Sequence, residues 1–181
     1  MFIPHGDNSI ITPEQVGEEL FDEDDYVIQA YDPGGTTGWC MIAIHKMAIR
    51  KPDILILPNV TWWTAGELTG SERSQVGRMT EGANLWPRAH LVMEDFILRK
   101  LSADRALLAP VRVAARFEER MGDRHIVYQL SSFAMTAVTD ERLRDWGFWV
   151  SGSPHARDAI RHALLWAQRA KKIVQSRVRS R

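Results

Sequence analysis

At 181 residues, with 45% apolar residues and seven tryptophans, the chain has the material for one packed domain. Its single cysteine, Cys40, excludes an intrachain disulfide framework and a cysteine-rich zinc module, and no apolar run reaches the roughly 18–20 residues that a bilayer span needs. The 23 basic and 23 acidic residues cancel overall but not locally.

The first 25 residues carry eight acids (Asp7, Glu14, Glu18, Glu19, Asp22, Glu23, Asp24, Asp25) and no Lys or Arg. They read as an acidic extension with one short helical stretch over PEQVGEELF, and they lack the basic region and apolar block of a signal peptide. A soluble, cytoplasmic protein is expected. YVIQAYD (26–32) then predicts a strand, GWCMIAIH (38–45) a second and ILILPNVTWWT (54–64) a third, with Pro58 marking an edge or a bulge. The glycines of the first turn, Gly34, Gly35 and Gly38, suit a turn because glycine tolerates positive φ. Cys40, inside the second strand, reads as a small core residue.

Residues 66–83 have helical spacing, weakened by Gly70 and Gly77, and HLVMEDF (90–96) is an apolar run of strand length. The segment 102–124 predicts an amphipathic helix that Pro110 either kinks or starts. HIVYQLSS (125–132) predicts another strand, and TDERLRDWG a short helix capped by Thr139 and stopped by Gly147. The last helix opens at Ser153–Pro154 and runs to about residue 172. The expected architecture is an α/β domain over 26–172: a five-stranded mixed sheet, three antiparallel strands followed by parallel additions, flanked by helices. A basic tail, 173–181, follows. Six of the last thirteen residues are Lys or Arg, which suits either a polyanion partner or a solvated helix end.

Chemistry gathers where elements end. Asp32 closes an apolar strand, Glu94 and Asp95 close another, and His155 and Asp158 sit three apart in the first turns of the last helix, on one face. Each has a plain reading: a turn former, a solvated strand end, a favourable charge at a helix start. Together they suggest more, because carboxylates at buried strand ends are costly without a partner and repel each other unless a cation is shared. Oxygen-rich sets suit magnesium or manganese, and two such ions about 4 Å apart can activate water and stabilise a leaving oxygen. Adjacent strand residues face opposite sides, so Glu94 and Asp95 cannot both point at one centre, and periodicity does not choose between them. His162 follows on nearly the same stripe as Asp158 and suits either a ligand or a hydrogen-bonded core histidine.

The pieces DPGGTTGW, VMEDF and HARDAIRHAL, in this order over about residues 26–170, resemble the RuvC-like Holliday junction resolvases of the ribonuclease H-like superfamily, with a likeness to phage-encoded members in VTDERLRDWG. The resemblance implies that Asp32, Glu94, His155 and Asp158 are the catalytic and metal-binding residues, and it selects Glu94 over Asp95, a second acid outside the family pattern. It further implies two Mg2+ ions per site, replaceable by Mn2+, and a homodimer that cuts four-way DNA junctions in pairs, leaving 5′-phosphate and 3′-hydroxyl ends. His155 would ligate an ion or move a proton. Phe96, Arg99, Lys100 and Arg105, just after Glu94, are candidate DNA contacts; Phe96 suits either a base-stacking wedge or a core cap. The remaining tryptophans (62, 63, 86, 146, 149, 166) suit the core or a dimer interface. Rival readings are a nuclease of the same fold acting on forks, flaps, packaging intermediates or RNA–DNA hybrids, an actin or sugar-kinase type ATPase whose phosphate loop reads like DPGGTTG, and a non-catalytic DNA-binding module.

Overall fold

The computed structural model describes residues 25–51, 55–96 and 108–179. Five strands form one sheet: β1 (Tyr26–Asp32), β2 (Thr37–Ile44), β3 (Val60–Leu68), β4 (His90–Glu94) and β5 (Ile126–Gln129), in the order β3-β2-β1-β4-β5. β1 pairs antiparallel with β2, and β2 with β3, whereas β4 lies parallel to β1 and β5 parallel to β4. The five-stranded mixed α/β sheet expected from the sequence is the one observed. Among the described residues six helices surround it: α1 (Lys46–Arg50), α2 (Glu72–Leu85), α3 (Ala109–Met121), α4 (Ser131–Ala137), α5 (Asp140–Asp145) and α6 (Pro154–Arg179). None of these helices is long and apolar enough to cross a membrane.

β1 is central and buried on both faces, which is why its sequence reads as a nearly unbroken apolar run. Strand alternation sends Val27 and Tyr31 to one face, with Trp39, Met41 and Trp62, where Val76, Met79, Val113 and Phe117 of α2 and α3 cover them. Ile28 and Ala30 go to the other face, with Cys40, Ile42 and Val92, under Ala156, Ala159, Ile160 and Ala163 of α6. The small residues of α6 bring it close to the sheet. The approach is tightest at Gly38, where a Cβ would lie 1.9 Å from the His155 carbonyl oxygen.

Several expectations are corrected. The third strand starts after Pro58, which sits in a 3-10 turn (Leu57–Asn59), and runs on to Leu68. Residues 66–68 therefore belong to β3, and α2 begins only after Gly70, at φ +100, with Ser71 accepting from the Ser74 amide as its cap. β5 ends at Gln129, because Ser131 already opens α4. Gly34, Gly35 and Gly38 are not at positive φ. Gly38 is needed for the contact with α6, and a Cβ on Gly34 would meet the Thr36 carbonyl oxygen at 2.9 Å. Pro110 starts α3 rather than kinking it, and Thr139 caps α5 as expected. The helix over 13–21, the start of the 102–124 segment, and Arg99, Lys100 and Arg105 lie outside the described residues; α6 extends to Arg179, through most of the basic tail.

Candidate active site

The strand registers align one transverse row of residues. Asp32 sits opposite Gly38, and Gly38 opposite Glu67 on β3. Tyr31 pairs with Met93, so Asp32 and Glu94 are neighbours one step further along parallel strands, and Glu94 pairs with Gln129 on β5. Alternation puts this whole row on the face that α6 covers, since Asp32 continues Ile28 and Ala30, and Glu94 continues Val92. The row lies beyond the carboxyl ends of β1 and β4, where open α/β sheets bind ligands. The same alternation turns Asp95 away; it is exposed, and its charge is felt by Tyr128.

α6 supplies the lid over this row. The His155 imidazole meets the Asp32 carboxylate, Nδ1 to Oδ2, at 2.8 Å. The His155 backbone amide donates to the Glu67 carboxylate at 3.1 Å, which places an acid at the positive end of a long helix. Two turns on, His162 is fully buried. Its Nδ1 lies 3.2 Å from Gln129 Oε1 and its Nε2 3.7 Å from Glu94 Oε2, the latter beyond hydrogen-bond range. His162 is thus a hydrogen-bonded core histidine that also faces the site.

Asp32 and Glu94 close adjacent parallel strands, and each carboxyl group acts on the other. Burial pushes the Asp32 carboxyl up to about 7; the His155 bond works against this and the neighbouring Glu94 adds to it. Burial also opposes ionisation of Glu94, but the neighbouring His162, Asp32 and Ser131 side chains outweigh it and hold that carboxyl below its ordinary range. His155 is held above the ordinary imidazole value, first by its bond to Asp32 and then by the charges of Glu67 and Asp158. The Asp32–Glu94 pair therefore keeps a proton to higher pH than two isolated carboxylates would.

The structure brings together Asp32, Glu94 and His155. Asp158 is close enough for its charge to act on His155, but its carboxylate is bonded to the guanidinium of Arg161. Arg161, 7% exposed at its side chain, also holds Asp140 and donates to the Val138 carbonyl at 3.0 Å. Among the described residues no group of three or more His, Cys, Asp and Glu is spaced to hold a metal ion. What does fit is a pair: two adjacent carboxylates, Asp32 and Glu94, at 10% and 16% side-chain exposure, with no Arg or Lys partner among the described residues. Magnesium commonly binds through one or two carboxylates while keeping several waters, so this donor set suits it. Phe96 is 38% exposed at the end of β4, not buried as a core cap.

Glu67, Gln129, Ser131 and Arg161 escaped the sequence reading. Glu67 carries the same signal as Asp32, an acid near the end of an apolar strand, but it lies beyond Thr64, where the sequence pattern ends the third strand. Gln75 was also missed. Fully buried, it donates to the carbonyls of Gly35 (2.8 Å) and Gly70 (3.0 Å) and accepts from the Thr37 hydroxyl, which fastens the turn after Asp32 to the start of α2.

No protein-family model matches the chain, and no curated protein matches it in sequence. Solved structures similar in shape include two of one protein. Thermus thermophilus RuvC in complex with a Holliday junction substrate superposes with a TM-score of 0.49 at 14% identity, covering 84% of this chain and 96% of that one. A second T. thermophilus RuvC structure gives a TM-score of 0.48 at the same identity and coverage. Identity this low says nothing of shared chemistry.

Proposed function

We propose that the chain is a divalent-metal-dependent endonuclease that cuts branched DNA, resolving four-way junctions by paired hydrolysis of phosphodiesters. The observation that carries this reading is the row at the ends of β1 and β4: Asp32 and Glu94 side by side and largely buried, without an Arg or Lys partner among the described residues, under the imidazole of His155. Such a pair is unfavourable for a purely structural purpose and favourable for holding a hard cation.

In this reading Asp32 and Glu94 hold a magnesium ion, with manganese able to replace it. When bound, the ion supplies Lewis-acid stabilisation of the phosphoryl oxygens. His155, fixed through its backbone by Glu67 and through Nδ1 by Asp32, is placed to move a proton at the attacking water or at the leaving oxygen. Water forms the new bond to phosphorus, the 3′-oxygen leaves and takes a proton, and the products are a 5′-phosphate and a 3′-hydroxyl. A second ion would need Asp158, which must first leave Arg161. Paired cuts across a symmetric junction require two sites, so the acting species is a homodimer, in the bacterial cytoplasm if the chain is phage-encoded. Phe96, exposed two residues after Glu94, would stack on an unpaired base at the branch.

The test is a panel of substrates with magnesium: a four-way junction, a fork, a flap, plain duplex and an RNA–DNA hybrid, each labelled strand by strand. Symmetric paired nicks confined to the junction are expected. Cutting only the RNA strand of the hybrid would replace the resolvase reading with a ribonuclease.

A further inference from the structure

On the face of the sheet away from α6, a cleft runs between α2 and α3, and one end of it is the turn that follows Asp32. The end nearest the turn is a cavity of about 560 Å³ bordered by Gly35, Arg73, Arg112 and Arg116, and a second cavity of about 340 Å³ shares Arg73 and Arg116 and continues to Arg120. Arg112, Arg116 and Arg120 recur every four residues, so they form a stripe along α3 at steps of roughly 6 Å. Arg73, in the first turn of α2, faces them across the cleft.

The acids nearby neutralise only part of this stripe. Glu72 is committed to the α2–α3 joint: Arg112 Nε reaches its two oxygens at 2.9 and 3.1 Å, and Arg116 binds it at 3.2 Å. Arg112 holds its carboxyl below the usual range. Glu119 is the other acid of the cleft. Arg73 and Arg120 have no ion pair among the described residues. All four cations are arginines, whose planar forks suit phosphate oxygens better than the point charge of lysine. Gln75, which lines the cleft, also bonds the Gly35 carbonyl, so the cleft and the turn carrying Asp32 are one braced unit.

We infer that this arginine cleft holds the phosphate backbone of a nucleic-acid arm whose cleaved segment lies at Asp32 and Glu94. The inference rests on the nuclease reading and adds to it a path for the substrate on the α2–α3 side, separate from the segment after Glu94. The occupant is a polyanion with regularly spaced phosphates, because the stripe is regular, open to solvent and polar.

Fluorescence anisotropy with a labelled four-way junction and a matched duplex, without divalent metal, over a range of salt concentrations, tests this. The double variant Arg73→Ala/Arg120→Ala leaves the Glu72 joint intact. It is expected to weaken binding by about tenfold or more and to lower the slope of log affinity against log salt by about 2, near 0.9 per lost phosphate contact on duplex DNA. Arg73→Lys/Arg120→Lys should keep most of the slope, and unchanged melting temperatures of both variants exclude unfolding as the cause. Wild-type affinity and slope in the alanine variant, with cleavage intact, would overturn the cleft while leaving the nuclease standing. Absence of both binding and cleavage in the wild-type chain removes the nuclease reading, and the cleft proposal falls with it.

Discussion

Two clusters of charge lie under or beside α6 and are handled in opposite ways. At the strand ends, Asp32 is bonded to the His155 imidazole, Glu94 lies beside it and faces the His162 imidazole at 3.7 Å, and among the described residues neither acid has a guanidinium or ammonium partner. At the corner of α5 and α6, Asp140 and Asp158 share the buried Arg161, whose Nε donates to the Val138 carbonyl. The corner carries its own compensation, as structural charges do when partly buried. The strand-end row does not, and its cost is expressed as a carboxyl pushed up to about 7. Uncompensated burial of this kind marks a site shaped for a bound group rather than for the stability of the fold.

The largest effect should come from breaking the row itself. Asp32→Asn removes a donor to the proposed ion and is expected to abolish cleavage in a strand-labelled junction assay while leaving junction binding within a few-fold. The same change should raise the stability of the metal-free chain by about 1–3 kcal/mol, since one pKa unit corresponds to about 1.4 kcal/mol and the buried charge is gone. A variant that is inactive and also less stable would mean that Asp32 serves the fold. His155→Gln comes next. It keeps a hydrogen-bonding side chain but loses the titrating ring, and the cleavage rate should fall about a hundred- to ten-thousandfold, the range for a positioned proton-transfer group.

Gly38→Ala acts at a distance of one contact. A methyl group 1.9 Å from the His155 carbonyl oxygen cannot be accommodated by a rotamer change, because the obstacle is backbone. The first turn of α6 must lift off the sheet, taking the imidazole with it. Overpacking of this sort costs about 1–3 kcal/mol, and a displacement near 1 Å of a catalytic group costs on the order of a hundredfold in rate. Thermal melting and single-turnover cleavage measure the two effects. Unchanged cleavage would show that His155 need not be held against Asp32.

Much of this was readable because strand alternation is rigid. Once β1 and β4 are strands, Asp32 and Glu94 must follow Ile28, Ala30 and Val92 onto the same face, and Asp95 must not. The helix carrying His155 was equally plain from Ser153, Pro154 and its spaced alanines. The row's outer members were harder. Glu67 was hidden by ending β3 too early, and Gln129 becomes part of the site only through its pairing with Glu94, a register that no local pattern encodes. The role of Gly38 was misassigned for a similar reason. Glycine in a turn motif suggests positive φ, whereas here it answers to a helix more than a hundred residues away. Arg161 also acts through tertiary contacts, since Asp140 and Val138 reach it from another element. The arginine stripe of α3 has a visible period of four, but its partner across the cleft, Arg73, is set by how α2 and α3 pack.

The smallest effect is also the one that separates the two clusters most cleanly, through pH. The Asp32 carboxyl titrates near 7 when folded and near 3.8 when unfolded, so between these values the folded metal-free chain binds more protons than the unfolded one. Stability must then fall as the pH rises from about 4 to 7 and level off above, the sign given by proton linkage. His155, raised in the folded state, adds in the same direction, because its contribution is present at low pH and lost as the ring deprotonates. Glu94, lowered, works the other way and loses its contribution as the pH falls. For a chain of this size about 1 kcal/mol corresponds to roughly 2–4 °C in melting temperature. The metal-free chain should therefore lose a few degrees across that window, and added magnesium should restore more of it at pH 8 than at pH 6, because the ion must displace the proton. Asp32→Asn should flatten the profile, whereas Asp158→Asn should lower it without removing the slope, since Asp158 is compensated by Arg161. A profile that Asp158→Asn flattens and Asp32→Asn leaves alone would reverse the assignment of which cluster awaits the ion.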